Sequence, residues 1–390
     1  MRQNLKSSSR CSIIRSAPII KLLLEVDMPK DVVSLGQGVP FFAPPTEVVS
    51  AIQQASAQPE GYRYTKDVGR DEVLEAVAEK IKQENKIIAN PHRNIMMTAG
   101  GNQAFLNALL SITDLGDEII VISPTYFNHV MAIKLAGCQP ILLETRPEEG
   151  YLPDIDQIKN AISPRTKALV SISPNNPTGA VYPQKLLKSI NDLCAEHSIY
   201  HISDEVYEYF VFDGAKHVSP GSFDSTLCHT ISLFSFSKAF SMSGYRIGYM
   251  VYPEHLFEDI LKVQDTIGIC APAPSQAGSC IALGMGKSYV EKYLDVMRNT
   301  RRIFAETLEN LENVFFSKTN GSYYFFVGLK TTKNARTICK KLISEYEVVT
   351  LPGDIFDCST PSIRLSYGNV SEETAVEGMS RLQKGLEALL

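Results

Sequence analysis

No stretch of this chain is apolar for long enough to cross a bilayer; the longest apolar runs fall far short of the ~18 residues that suggest a span. Charge of one sign is equally scarce. The net charge is −5 and no long block of like charge appears, so neither a nucleic-acid groove nor an anionic-membrane patch has electrostatic support. The cysteines, at 11, 138, 194, 228, 270, 280, 339 and 358, form no CxxC pair and have no clustered histidines beside them. That spacing argues against a zinc site or a disulfide framework, and it fits a reducing, cytoplasmic setting with no bound metal. Arg2, Lys6, Arg10 and Arg15 precede the apolar IIKLLLEV, but Pro18 and Lys21 interrupt the pattern and no small-residue cleavage site follows. The segment therefore reads as mature protein. Internal repeats, low-complexity tracts and flexible linkers are also missing.

What is present is enough for more than one packed unit. The 390 residues exceed the roughly 100–200 of a typical domain, so two domains or one large core with an appended lobe are expected. A hydrophobic fraction of 44% and a charged fraction of 21% are those of an ordinary globular protein. From about 70 to 285, helix-period stretches alternate with short apolar strands, which implies an α/β fold with a mostly parallel sheet. DEVLEAVAEKIKQEN, from Asp71, sets Leu74, Val77, Ala78 and Ile81 on one helical face. DEIIVIS, PILLET, TKALVSIS and TISLFSFSK at 230–238 read as strands, and segments near 128–136 and 182–199 read as helices. After about 288 a long charged helix pattern leads to the strand candidate SYYFFVGL and a hairpin-like EVVTLPG, as in a smaller α+β lobe.

Five short constellations could carry chemistry. In TAGGNQAF at 98–105, Gly100 and Gly101 precede a helix pattern; they would let backbone N–H groups meet a phosphate, or simply make a tight turn. In SPNNPTGAVY, Asn176 could present a fixed amide at the mouth of the sheet or merely punctuate a loop. HISDEVYEYF places Asp204 after a strand start with Tyr207 three residues on; the carboxylate could cap a helix or sit opposite a cationic ligand nitrogen. SFSKAFSMSGYR carries Ser235, Lys238 and Arg246. An amine there is either desolvated towards its nucleophilic neutral form or snorkels to solvent. In SIRLSYG, Arg364 is either a solvated strand residue or a bidentate grip on a carboxylate.

Taken in order, from SLGQGVPFF at 34–42 to IRLSYG at 363–368, these motifs resemble the fold-type-I pyridoxal 5'-phosphate (PLP) aminotransferases of the aspartate aminotransferase superfamily. The resemblance spans essentially the whole chain. It implies a larger PLP-binding domain at 45–287 and a smaller domain built from 1–44 and 288–390. It makes Lys238 the Schiff-base residue and proton shuttle, Asp204 the partner of the pyridine nitrogen, and Tyr207 and Asn176 the hydrogen-bonding partners of the cofactor's phenolic oxygen. Ser235, Arg246, Gly101 and Asn102 would hold the phosphate, and Tyr126 would stack on the ring. Tyr64, in GYRYTKDVG, would reach the neighbouring active site of a homodimer. Arg364 would grip the substrate α-carboxylate, helped by Asn176 and Gly38.

The implied activity is ping-pong transfer of an amino group from an L-amino acid to a 2-oxo acid. The alternative is a PLP-dependent lyase or cyclase working through a Cα carbanion; a non-catalytic protein on the same fold is a third reading. Asn102 stands where some relatives carry a lysine for a distal carboxylate, and IGICAPAPSQ at 267–276 holds no arginine. A dicarboxylic substrate would need Arg15 or Lys21 as a substitute. The opening SLGQGVPFF leans towards aromatic, neutral or sulfur-containing side chains.

Overall fold

The computed structural model describes residues 6–390; Arg2 and the rest of the first five residues lie outside them. Seven strands form the main sheet: β1 (Ile95–Thr98), β2 (Glu118–Ser123), β3 (Gln139–Glu144), β4 (Thr166–Ile172), β5 (Tyr200–Asp204), β6 (Thr230–Ser235) and β7 (Gly248–Val251). Their spatial order is β1-β7-β6-β5-β4-β2-β3. All neighbours pair in parallel except β7, which is antiparallel to both β1 and β6.

The inner strands β2 and β4 are buried almost throughout because the sheet is covered on both faces, whereas the edge strand β3 is largely exposed. Along β2 the side chains alternate. Ile119 and Val121 pack with Ala104 and Phe105 of the helix Gly101–Ile112, whereas Ile120 and Ile122 join the cluster containing Val73 and Val77 of Asp71–Lys80 and Leu187 of Gln184–Glu196. The expected helix from Asp71 does bury Leu74, Val77 and Ile81, but its last five residues, Ile81–Asn85, wind as a π-helix.

A second sheet collects β8 (Val314–Phe316), β9 (Tyr324–Leu329), β10 (Leu351–Pro352) and β11 (Ser362–Ser366) in the order β10-β11-β9-β8, all antiparallel. The helix Lys287–Glu309 leads into it. EVVTLPG is not a hairpin. Val348–Val349 pairs in parallel with Val33–Ser34, while Leu351–Pro352 adds to β11, so the run is shared between the N-terminal segment and the second sheet. The period-2 pattern reports a strand but not its partner, which is why the sequence suggested a local turn.

TISLFSFSK also ends earlier than its apolar pattern suggests. β6 stops at Ser235, and Phe236–Ala239 forms a helical turn. Ser235 is its N-cap, Oγ accepting from the Ser237 N–H at 3.2 Å. A side-chain acceptor at that position competes with the ladder and turns the chain.

Leu169→Ala, at the fully buried middle of β4, should lower the unfolding free energy by about 2–5 kcal/mol in urea denaturation. A loss under about 1 kcal/mol would contradict a sheet packed on both faces.

Candidate active site

The carboxyl ends of the parallel strands converge on one cavity of about 410 Å³. In doubly covered parallel sheets this edge is where ligands gather. Asp204 is the last residue of β5 and Ser235 the last of β6; Asn176 follows β4 and Tyr126 follows β2 by a few residues. The second sheet contributes Arg364 from β11 and Tyr324 from β9. Every site residue expected from the sequence lines this cavity except Tyr64, which is 78% exposed on the surface with Tyr62, Arg63 and Pro272.

One end of the cavity is a cup of donors. The helix Gly101–Ile112 begins there, and Ser235 and Arg246 close the cup. Gly100 is required: its φ is +85°, and a Cβ would stand 2.5 Å from an Arg246 guanidinium nitrogen. Arg246, itself at φ +51°, is steered by donation to the Ser243 and Ala99 carbonyls at 2.8 and 3.2 Å. Aligned N–H groups, a helix start and a guanidinium together suit a phosphate.

Deeper in, Asp204 is 7% exposed and accepts from the Val206 N–H at 3.2 Å. Its other oxygen lies 3.1 Å from His129 Nε2. His129 is almost fully buried, stacks on Phe105 at 4.1 Å, and has no partner for Nδ1 among the described residues. The sequence reading missed His129, because a lone histidine inside FNHVMAIKL looks like a core residue. Ser237 was also missed; it lines the cavity and its hydroxyl lies 3.0 Å from that of Ser235. Its signal was the repeated serine in SFSK.

The Lys238 amine donates to the Gly38 carbonyl at 2.5 Å. Burial pushes its pKa down to about 8 from the usual lysine value of 10.5, helped by the Arg364 and Arg246 charges and opposed by Asp204. Burial also drives the Tyr207 phenol well up, so Tyr207 keeps its proton and can donate it. Tyr126 is raised by burial too, with Asn128 and Asn102 opposing; Asn128 donates to its hydroxyl at 2.8 Å.

Arg364 is 2% exposed and makes no ion pair with any described carboxylate. One of its nitrogens donates to Asn176 Oδ1 at 2.9 Å and another to the Gly36 carbonyl at 2.6 Å. Arginine only donates, so Asn176 must turn its oxygen to Arg364, which leaves Nδ2 as its donor end. Asn175 does different work: its Oδ1 accepts from Thr178 and holds the turn. Neither proposed substitute for a distal cation reaches the cavity. Arg15 is bound to the Asp357 carboxylate and to the Asp354 and Ile355 carbonyls at 2.6 and 3.0 Å, and Lys21 is exposed.

Comparison with known proteins gives the family. The family described as aminotransferase class I and II matches residues 30–382. An aspartate aminotransferase of Pyrococcus abyssi is 32% identical over 383 residues, covering 97% of this chain and 98% of the relative. An aromatic aminotransferase of Arabidopsis thaliana is 32% identical over 384 residues, covering 96% and 94%. The solved aspartate aminotransferase from Thermus thermophilus with maleate superposes with a TM-score of 0.90 at 32% identity, covering 98% of this chain and 100% of that one. These relatives are all aminotransferases, which does not favour the lyase or cyclase alternative. The chain belongs to the class I and II aminotransferases, fold-type-I enzymes that use pyridoxal 5'-phosphate to move an amino group between amino acids and keto acids.

Proposed function

We propose that this aminotransferase runs its ping-pong transfer on amino donors with aromatic or neutral side chains, with Lys238 linked to the cofactor as a Schiff base in the resting enzyme. The observation that carries the residue assignment is the pairing, across one cavity, of a desolvated amine with a buried, carboxylate-free guanidinium. When bound, PLP supplies an electron-accepting ring that spreads the charge left at the substrate Cα.

The donor set fits that group. Ser235, Ser237, Arg246 and the N–H groups of Gly101 and Asn102 suit a phosphate dianion, and the missing Cβ of Gly100 lets the Arg246 guanidinium pack against that turn. Asp204, held by His129, is placed to keep a pyridine nitrogen protonated. Tyr207 and Asn176 Nδ2 are placed as donors to a phenolic oxygen, and Tyr126 offers an aromatic face. Arg364 binds the α-carboxylate, orienting the Cα hydrogen towards Lys238; the neutral Lys238 amine then takes the Cα proton and would deliver it to the cofactor carbon that carries the transferred nitrogen. Gly38 contributes the carbonyl that holds that amine in place.

Side-chain choice follows from what the cavity contains. Ile19, Val39, Phe127 and Tyr324 give it apolar walls, and its cations, Lys238, Arg246 and Arg364, all have assigned work. A distal carboxylate would be buried without a partner. Tyr64, exposed and remote from this cavity, supports a homodimer in which it completes the partner's phosphate cup. The two sheets support the division into 45–287 and 1–44 with 288–390, the Val33–Ser34 pairing tying the N-terminal segment to the second. The eight unpaired cysteines support a cytoplasmic location.

Two measurements test this reading. In single half-reactions followed by cofactor absorbance, tyrosine, phenylalanine or methionine should exceed aspartate in kcat/KM by about tenfold or more; a preference for aspartate contradicts the substrate class. PLP uptake by the apo-protein requires the neutral amine, whose fraction grows as pH rises through about 8. The uptake rate should climb with a midpoint near 8, whereas a midpoint near 10.5 would mean that Lys238 is an ordinary solvated lysine.

A further inference from the structure

Two phenols of the cavity wall, Tyr207 and Tyr324, pack with a third, Tyr323. Tyr207 and Tyr323 have ring centres 5.3 Å apart, Tyr323 and Tyr324 4.9 Å, and Tyr207 and Tyr324 5.7 Å. All three side chains are almost completely buried. The Tyr207 and Tyr324 hydroxyls are 2.7 Å apart, and Tyr323 donates to the Gly38 carbonyl at 3.0 Å. The Arg364 guanidinium lies over the Tyr324 ring, 4.3 Å from its centre.

The donor directions in this cluster are constrained. A phenol has one proton and two lone pairs. If Tyr207 gives its proton to the cofactor's phenolic oxygen, the short contact to Tyr324 can be a hydrogen bond only if Tyr324 donates. Tyr323 has already given its proton to Gly38. The chain of donation therefore runs from Tyr324 to Tyr207 to the cofactor oxygen. A hydroxyl that accepts one hydrogen bond becomes a stronger donor of the next, and the Arg364 charge over the first ring acts in the same sense by making the Tyr324 proton more acidic.

We propose that Tyr324 is a positioning residue for the transfer reaction, fixing and strengthening the hydrogen bond that Tyr207 gives the cofactor; this rests on the role assigned to Tyr207 above. The consequence is electrostatic. When the nitrogen linking Lys238 to the cofactor loses its proton, negative charge concentrates on the phenolic oxygen, so a stronger donor there favours that loss and lowers the pKa of the link. Gly38 belongs to the same arrangement, since a Cβ at that position would stand 2.5 Å from the Tyr324 hydroxyl.

The test is a pH titration of the visible absorbance of the PLP-loaded protein in a two-residue mutant cycle. Tyr324→Phe keeps the ring and its packing and removes only the hydroxyl. Tyr207→Phe should raise the titration midpoint, and Tyr324→Phe should raise it in the same direction by a smaller amount, a few tenths to about one pH unit. The double variant should titrate with Tyr207→Phe, because Tyr324 acts only through Tyr207. A Tyr324→Phe midpoint equal to wild type, beside a shifted Tyr207→Phe, overturns the role of Tyr324 alone. So does a double variant that adds the two shifts, which a merely structural effect would produce. An unshifted Tyr207→Phe overturns the Tyr207 assignment and, with it, this proposal.

Discussion

Three cations and one carboxylate face a single cavity: Lys238, Arg246 and Arg364 against Asp204. The rest of the site follows from that imbalance. Arg246 meets solvent, but Arg364 is buried with no ion-pair partner among the described residues, and a buried unpaired cation is costly unless an anion enters; on the function proposed above, the anions are the cofactor phosphate and the substrate carboxylate. Burial is the main cause that brings the Lys238 amine down to about 8, and the Arg364 and Arg246 charges lower it further while Asp204 opposes them. The amine with its lowered pKa and the two guanidinium groups thus share one cavity.

The scaffold makes the arrangement rigid by dividing it between two sheets. β5 and β6 run side by side in parallel with Asp204 opposite Leu233, so Ser235 lies two residues further along at the same edge of the sheet, and the Ser235 cap turns the chain so that Lys238 joins the cavity lining. Arg364 comes from the other sheet, where β11 pairs with β9 in a register that sets Arg364 opposite Phe326. Two hydrogen bonds bridge the parts, Arg364 to Asn176 and Lys238 to the Gly38 carbonyl, while the Gly36 carbonyl holds Arg364 within its own part. A shift of either sheet would therefore change the position of the Lys238 amine relative to the Arg364 guanidinium.

Much of this was legible in the sequence because chemistry at a strand end leaves a local signature. Asp204 after an apolar strand, paired glycines before a helix and an arginine in a β-like run each pointed to the correct edge or sheet. What the sequence hid depended on contacts distant along the chain. His129 meets Asp204 across 75 positions, and only folding reveals that its imidazole faces a carboxylate rather than the core. Tyr324 read as a strand residue in SYYFFVGL, and its contact with Tyr207 joins β9 to the turn that follows β5, over a hundred positions away. Arg15 looked available as a distal cation until the loop at 354–357 was seen to bind it. Local errors had local causes: at Ser235 a side-chain cap overrode an apolar strand pattern, and at 348–352 the strand pattern was real but its partners were remote.

The central claim is that the Lys238 amine is the group that engages the cofactor. Borohydride reduction of the PLP-loaded protein makes a carbon–nitrogen link permanent, and peptide mass mapping then locates it. One pyridoxyl group per chain on the peptide containing Lys238 is the predicted result. A label on another lysine, or no covalent label on a protein that has bound PLP, would contradict the account.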